Sequence, residues 1–149
     1  MEKKVTLSII FPAYNEAKVI GKNVIHVASW LREQKIESEI IVVDDGSLDK
    51  TVEEVKKVSK RFPEVSVIAN EHKGKGYAVY TGVLAAKGEH VLMMDVDLAT
   101  PVEEYPRFAK ELKNADIVIA SREAEDAKRV GEPWFRHFIG RVFNLLVYN

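Results

Sequence analysis

Five short strand-like runs, at 5–11, 38–44, 65–69, 89–94 and 115–120, alternate with longer segments whose apolar positions recur at helical spacing. Between the first two runs, Val19, Ile20, Val24, Val27, Ala28 and Leu31 form one stripe, leaving Lys18, Lys22, Arg32 and Glu33 for solvent. A second helix is predicted from Asp49 to Arg61, with Val52, Val55 and Val58 inward and Pro63 ending it. A third covers Tyr77 to Ala86. A fourth opens at Thr100-Pro101, with Thr as cap and Pro in the first helical position, and runs to about Lys113. The order is βαβα. Continuous apolar runs such as Ile40-Ile41-Val42-Val43 suit strands covered on both faces, so the pattern predicts an α/β fold with a mostly parallel, Rossmann-like sheet flanked by helices.

Glu123 to Glu132 is the one long polar stretch late in the chain. It precedes a closing helix, Trp134 to Tyr148, that carries Phe135, Phe138, Ile139, Val142, Phe143, Leu145, Leu146 and Val147. That pattern stops in full stride at Asn149, which reads as a domain cut on its C-terminal side.

Composition narrows the picture. At 149 residues the chain is expected to form a single domain, 1–149, with a real core. Lys plus Arg number 22 against 23 for Asp plus Glu, so a net charge of -1 gives no electrostatic case for a nucleic-acid partner. The absence of cysteine excludes thiolate metal sites and thiol nucleophiles and leaves hard oxygen ligands as the metal chemistry. Met1-Glu2-Lys3-Lys4 leads into too short an apolar run for a signal peptide or a membrane span, so the expected location is cytoplasmic.

Three of the strands end in polar clusters. Pro12-Ala13-Tyr14-Asn15-Glu16 follows the first, Asp44-Asp45 the second, and Asp95-Val96-Asp97 the fourth. In an open parallel sheet such ends share one edge, where ligands bind. Mg²⁺ or Mn²⁺ typically takes one or two carboxylates together with phosphate oxygens and water, which Asp95 and Asp97 can supply if the strand's pleat turns both the same way. Solvated turn acids are the plainer alternative. Asp45 suits the N–H donors of a base or the hydroxyls of a ribose, although Asp-Asp-Gly-Ser is also ordinary turn chemistry.

Gly74-Lys75-Gly76 opens a helix, where backbone amides assisted by Lys73 or Lys75 could receive a phosphate; a glycine-assisted turn explains it equally well. Arg122, after the fifth run, could clamp a diphosphate or form a surface pair. The four histidines share no metal spacing and are assigned no catalysis. A phosphoacceptor receiver domain would need its acid pair after the first strand, where Pro12-Ala13-Tyr14 stands.

Leu7-Ser8-Ile9-Ile10-Phe11-Pro12-Ala13-Tyr14-Asn15-Glu16, Ile41-Val42-Val43-Asp44-Asp45-Gly46-Ser47, Gly74-Lys75-Gly76-Tyr77-Ala78-Val79 and Asp95-Val96-Asp97 together resemble the family 2 inverting glycosyltransferases, in order and in spacing. Within that family the chain is most similar to dolichyl-phosphate hexosyltransferases. Pro133-Trp134-Phe135-Arg136 and the run from Gly140 to Val147 look like the β-glucosyltransferase branch, with the mannosyltransferase branch close behind.

The resemblance implies a glycosyltransferase A-type fold, a nucleotide-sugar donor (UDP-glucose favoured, GDP-mannose the alternative), a Mg²⁺ or Mn²⁺ ion and a polyprenyl or dolichyl phosphate acceptor. By motif position Pro12, Tyr14, Glu16, Val43 and Asp45 hold the nucleoside, with Lys73 and Val96 as further nucleotide contacts. Asp95 touches nucleotide and metal, Asp97 binds metal and acts in catalysis, and Arg122 faces the diphosphate. Ala99 departs from the mannosyltransferase pattern, which has Gln there. Basic Lys128, Arg129, Arg136 and Arg141 beside the closing helix suit peripheral contact with a membrane's cytoplasmic face; packing of that helix on protein is the alternative. A non-catalytic nucleotide-sugar binding fragment would keep the donor crevice and lack transfer.

Overall fold

A computed structural model describes residues 5–121 of the chain. In order these form β1 (Leu7–Ala13), α1 (Ile20–Glu33), β2 (Ser38–Asp44), α2 (Thr51–Ser59), β3 (Val65–Ala69), α3 (Lys75–Ala85), β4 (His90–Met93), a short 3₁₀ turn (Val102–Glu104) and α4 (Tyr105–Glu111). The chain divides into two compact units, Met1–Asp116 and Ile117–Asn149, and all of these elements belong to the first.

The sheet order is β3-β2-β1-β4 and every pairing is parallel. Alternation along β1 explains the two layers of core. Leu7, Ile9 and Phe11 join Ile40 and Val42 under α1 and α2, against Val24, Val27, Ala28, Leu31, Val55 and Val58. Ile10, with Ile41 and Val43, faces the other way and packs with Ala78 of α3. That helix comes unusually close to the sheet: a Cβ on Gly82 would stand 2.4 Å from Ile10 Cγ2. The chain builds β1, β2 and β3 outward in one direction and then returns to place β4 on the other side of β1. This reversal leaves a crevice beyond the carboxyl ends of the central strands.

The structure departs from the expected elements in three places. Residues 115–120 form no strand, and Ile117 and Ile119 stand 77% and 81% exposed. A strand exists through its ladder, and among the described residues this run pairs with none. The fourth helix does not begin at Pro101, whose ψ of 145° is extended; a 3₁₀ turn intervenes, and Pro106 lies in the first turn of α4 instead. Thr100 makes no cap bond there. On α2 the inward positions are Thr51, Val55 and Val58, while Val52 is only partly covered, because three-residue spacing drifts off one face of a 3.6-residue helix. The closing helix, the polar stretch before it, Arg122 and the basic residues of 128–141 lie outside the described residues.

Candidate active site

The crevice is framed by two loops tied to each other. Asn15 adopts φ 57°, a left-handed conformation that asparagine tolerates. Its N–H donates to Ser47 Oγ at 2.8 Å, and its Oδ1 accepts from the Leu48 amide at 2.8 Å. The Glu16 and Ala17 amides donate to Thr51 Oγ1 at 2.8 Å and Asp49 Oδ2 at 3.1 Å. Asp49 also accepts from the Thr51 hydroxyl and amide, and the Thr51 hydroxyl is the main cause holding its pKa below the ordinary carboxylate value. Asp49 is therefore a brace between the β1–α1 and β2–α2 loops. These contacts set the main chain of Tyr14 and Glu16 against the end of β2.

The crevice, about 270 Å³, is lined by Pro12, Ala13, Tyr14, Glu16, Asp45, Lys75, Ala78, Asp95, Val96 and Asp97. Seven residues expected from the sequence thus meet in one place: Pro12, Tyr14, Glu16, Asp45, Asp95, Val96 and Asp97. Val43 does not join them. Its side chain is fully buried in the α3 layer, near Gly82, because it alternates with Val42 across the sheet. Lys73 is also outside the lining: its ammonium lies 3.6 Å from Glu71 and over the Tyr77 ring, and the lysine in the crevice is Lys75.

A strand's pleat does not bring Asp95 and Asp97 together, contrary to expectation. β4 ends at Met93, and the two acids flank a turn in which the Leu98 amide donates to Asp95 O at 3.1 Å with Leu98 at φ 55°. Asp97 Oδ1 accepts from the Ala99 amide at 2.9 Å. The turn is anchored by Asn23 of α1, whose side-chain amide donates to Val96 O at 2.7 Å, while the Val96 side chain is buried in the core beneath. Both carboxylates stay exposed on the crevice wall.

The paired acids of β2 separate. Asp44 is buried, with Oδ2 accepting from the Ser47 amide at 3.0 Å and Oδ1 without a partner, and it does not line the crevice. Asp45 does. Its Oδ1 accepts from the Lys73 amide at 2.8 Å, and its Oδ2 accepts from Gly74 at 2.9 Å and faces His72 Nδ1 at 2.8 Å. Of the backbone amides at Gly74-Lys75-Gly76 expected to receive a phosphate, that of Gly74 is thus committed to Asp45.

Burial alone would push the Asp45 pKa up, but the Lys73 and Gly74 amides and the imidazole outweigh it and hold the group below its ordinary value. With the folded pKa below the unfolded one, about 3.9, the stabilisation is complete above that pH and is lost as the pH falls through the folded pKa. Asp45→Asn is expected to lower the urea midpoint at neutral pH and to flatten its decline under acid, read from denaturation curves through that window.

Two further residues were missed by sequence reasoning. Asn23 gave no signal, since a polar residue on a helix reads as solvated. His72 stacks on Tyr14 with ring centroids 4.5 Å apart and planes 24° apart, and nothing in its local sequence marks that contact.

The acids fit a divalent cation. Among the described residues no group of three or more metal-ligating side chains gathers, so the protein offers two carboxylates, and phosphate oxygens and water would complete a Mg²⁺ or Mn²⁺ shell. A positive charge already stands there: Lys75 Nζ lies 2.6 Å from Asp95 Oδ1. That ammonium would compete with a metal ion for the same oxygen. Lys75→Met is expected to tighten Mn²⁺ binding to the nucleotide-free chain by up to about fivefold, the scale of an exposed ion pair. Titration followed by the Mn²⁺ electron paramagnetic resonance signal would measure it, and weaker binding would contradict the competition.

The chain has relatives among known proteins. The model of the family described as Glycosyl transferase family 2 matches residues 8–148. A dolichyl-phosphate beta-glucosyltransferase of Trichomonas vaginalis is 41% identical over 138 residues, covering 84% of this chain and 43% of its own length. A dolichol-phosphate mannosyltransferase of Pyrococcus furiosus is 33% identical over 136 residues, covering 91% and 38%. Among solved structures, a mannosyltransferase from Pyrobaculum calidifontis in complex with GDP-Man and Mn²⁺ superposes with a TM-score of 0.61 at 26% identity, covering 78% of this chain and 34% of that one. The chain spans less than half the length of each.

Proposed function

The chain belongs to glycosyl transferase family 2, and from that premise we propose that it is the donor-binding part of a metal-dependent inverting hexosyltransferase that moves glucose from UDP-glucose to a polyprenyl or dolichyl phosphate. The observation that carries this reading is the convergence of Tyr14, Asp45, Asp95 and Asp97, from three separate strand ends, on one crevice.

Each residue has a distinct task. The Tyr14 ring supplies an apolar face for the base, and Asp45 accepts from its N–H groups. Pro12 and Glu16 close the nucleoside end. Asp95 and Asp97 would hold Mg²⁺ or Mn²⁺ against the diphosphate, where the ion supplies charge neutralisation for the departing group. Lys75, when released from Asp95, lies close enough to offer the same diphosphate a second positive charge. Arg122, expected from the sequence to face the diphosphate, lies outside the described residues.

In the reaction, a phosphate oxygen of the lipid attacks the anomeric carbon as the bond to the nucleoside diphosphate breaks, inverting the centre. A phosphate is anionic at neutral pH, so the need for a general base is weaker than for a sugar hydroxyl, and none is assigned.

Glucose is favoured because the glucosyltransferase relative is the more identical of the two. GDP-mannose is the second reading, favoured by the Pyrobaculum complex. No described helix is long and apolar enough to cross a membrane; approach to the lipid is assigned to the basic and apolar residues after residue 122, outside the described region. A thermal-shift panel of UDP, GDP and their sugars with and without Mn²⁺ tests the proposal, since a ligand bound only by the folded state raises its melting temperature. A metal-dependent shift with the uridine compounds supports it, and no shift with any nucleotide overturns it.

A further inference from the structure

We propose that His72 competes with the donor's nucleobase for Tyr14 and Asp45, so that the nucleotide enters by displacing this imidazole. The inference rests on the reading of the crevice as a nucleotide site. A base offers a flat ring and an N–H donor, and a protein meets these with an aromatic face and a carboxylate. In the crevice wall the half-exposed ring is Tyr14, and the carboxylate at the same end is Asp45.

His72 engages both. Its ring stacks on Tyr14 at a centroid distance of 4.5 Å, and its Nδ1 lies 2.8 Å from Asp45 Oδ2 and 3.0 Å from the Asp45 main-chain O. The imidazole thus presents the two features by which a base would be recognised, a flat ring and a ring nitrogen that can carry a proton.

The two kinds of partner on Asp45 differ in how easily they yield. The Lys73 and Gly74 amides are main chain and remain in place. The His72 side chain is 59% exposed, against 4% for Asp45, so it can rotate into solvent at little cost. The backbone beneath it is seated firmly: a Cβ on Gly46, which has φ 74°, would stand 2.7 Å from His72 N. Displacement therefore belongs to the side chain rather than to the loop. His72 itself stands outside the crevice lining and reaches both residues from the adjoining β3–α3 loop.

The test is calorimetric titration of the full chain with UDP and with GDP, in the presence of Mn²⁺, comparing wild type with His72→Ala. Removing a competitor held by two polar contacts of Nδ1, to the side chain and to the main-chain oxygen of Asp45, and by one ring contact should tighten binding roughly fivefold. His72→Asn, which keeps a polar side chain on the loop, should shift affinity in the same direction and serves if the alanine variant does not fold. A supporting wall, with the base on the other face of Tyr14, predicts the opposite sign. Weaker or unchanged binding by the variants of a nucleotide-binding wild type overturns this inference alone. Failure of every variant and of the wild type to bind either nucleotide overturns the nucleotide reading and this inference with it.

Discussion

Asp97→Ala is expected to remove the Mn²⁺ dependence of nucleotide binding and to lower sugar transfer, assayed in a longer form of the protein, by about two to three orders of magnitude, the scale of losing one electrostatic contact to developing charge. The reason lies in what else this carboxylate does, which is little. It is exposed, and among the described residues its one side-chain hydrogen bond is from the Ala99 amide, two positions on. The turn is pinned by Asn23 on Val96 O rather than by Asp97. Melting should therefore stay within about 0.5 kcal/mol of wild type, as for surface substitutions generally. A variant that folds normally and keeps full transfer with the metal removed would refute the role given to this residue. Asp95→Ala is a less clean probe, because it also frees Lys75.

Gly82→Val is expected to have the largest effect on stability, on the order of 3 kcal/mol, with a fall in melting temperature of about 10 °C or more. A side chain here meets Ile10 Cγ2 at 2.4 Å, Val43 Cγ2 at 3.2 Å and Ile10 Cδ1 at 3.3 Å. Ile10 and Val43 are themselves almost wholly buried, on adjacent central strands, so neither can move aside without disturbing the sheet. Backing α3 away instead would shift Lys75 and Ala78, which line the crevice. Nucleotide affinity should fall along with stability. The control is Gly76→Ala in the same helix. A Cβ there meets nothing within 4 Å, and alanine is the better helix former, so this variant should melt at the wild-type temperature or above it. If both variants melt alike, close packing at Gly82 is not what holds α3 to the sheet.

Much of the scaffold was legible because its signals are local. Ser38–Asp44 and Val65–Ala69 form strands where the apolar runs placed them, since such runs bounded by polar turns leave few other options. The α1 stripe is buried at Ile20, Val24, Val27, Ala28 and Leu31 as helical spacing demands. Signals failed where an element depends on a partner distant in sequence. Ile117-Val118-Ile119-Ala120 has strand composition, yet no described neighbour completes its ladder.

The site divides along the same line. That acids following strands would share one edge could be read from the chain, because parallel strands end on the same side. The individual assignments could not. Asp44 and Asp45 are adjacent in the sequence, but one is sealed into a turn and the other faces the crevice. Val43 is one step from the edge and points into the α3 layer. His72 reaches Asp45 across 27 residues and Asn23 reaches Val96 across 73, contacts that no local pattern encodes.

The order of residues along this chain settles which segments can be strands or helices and which end of the sheet carries the acids, since periodicity and strand direction act over a few positions. Chain reversal at β4, the seating of α3 on Gly82 and the clasp of residues 72–75 on Asp45 and Asp95 arise from packing between distant segments, where the space left by one side chain determines the direction of another.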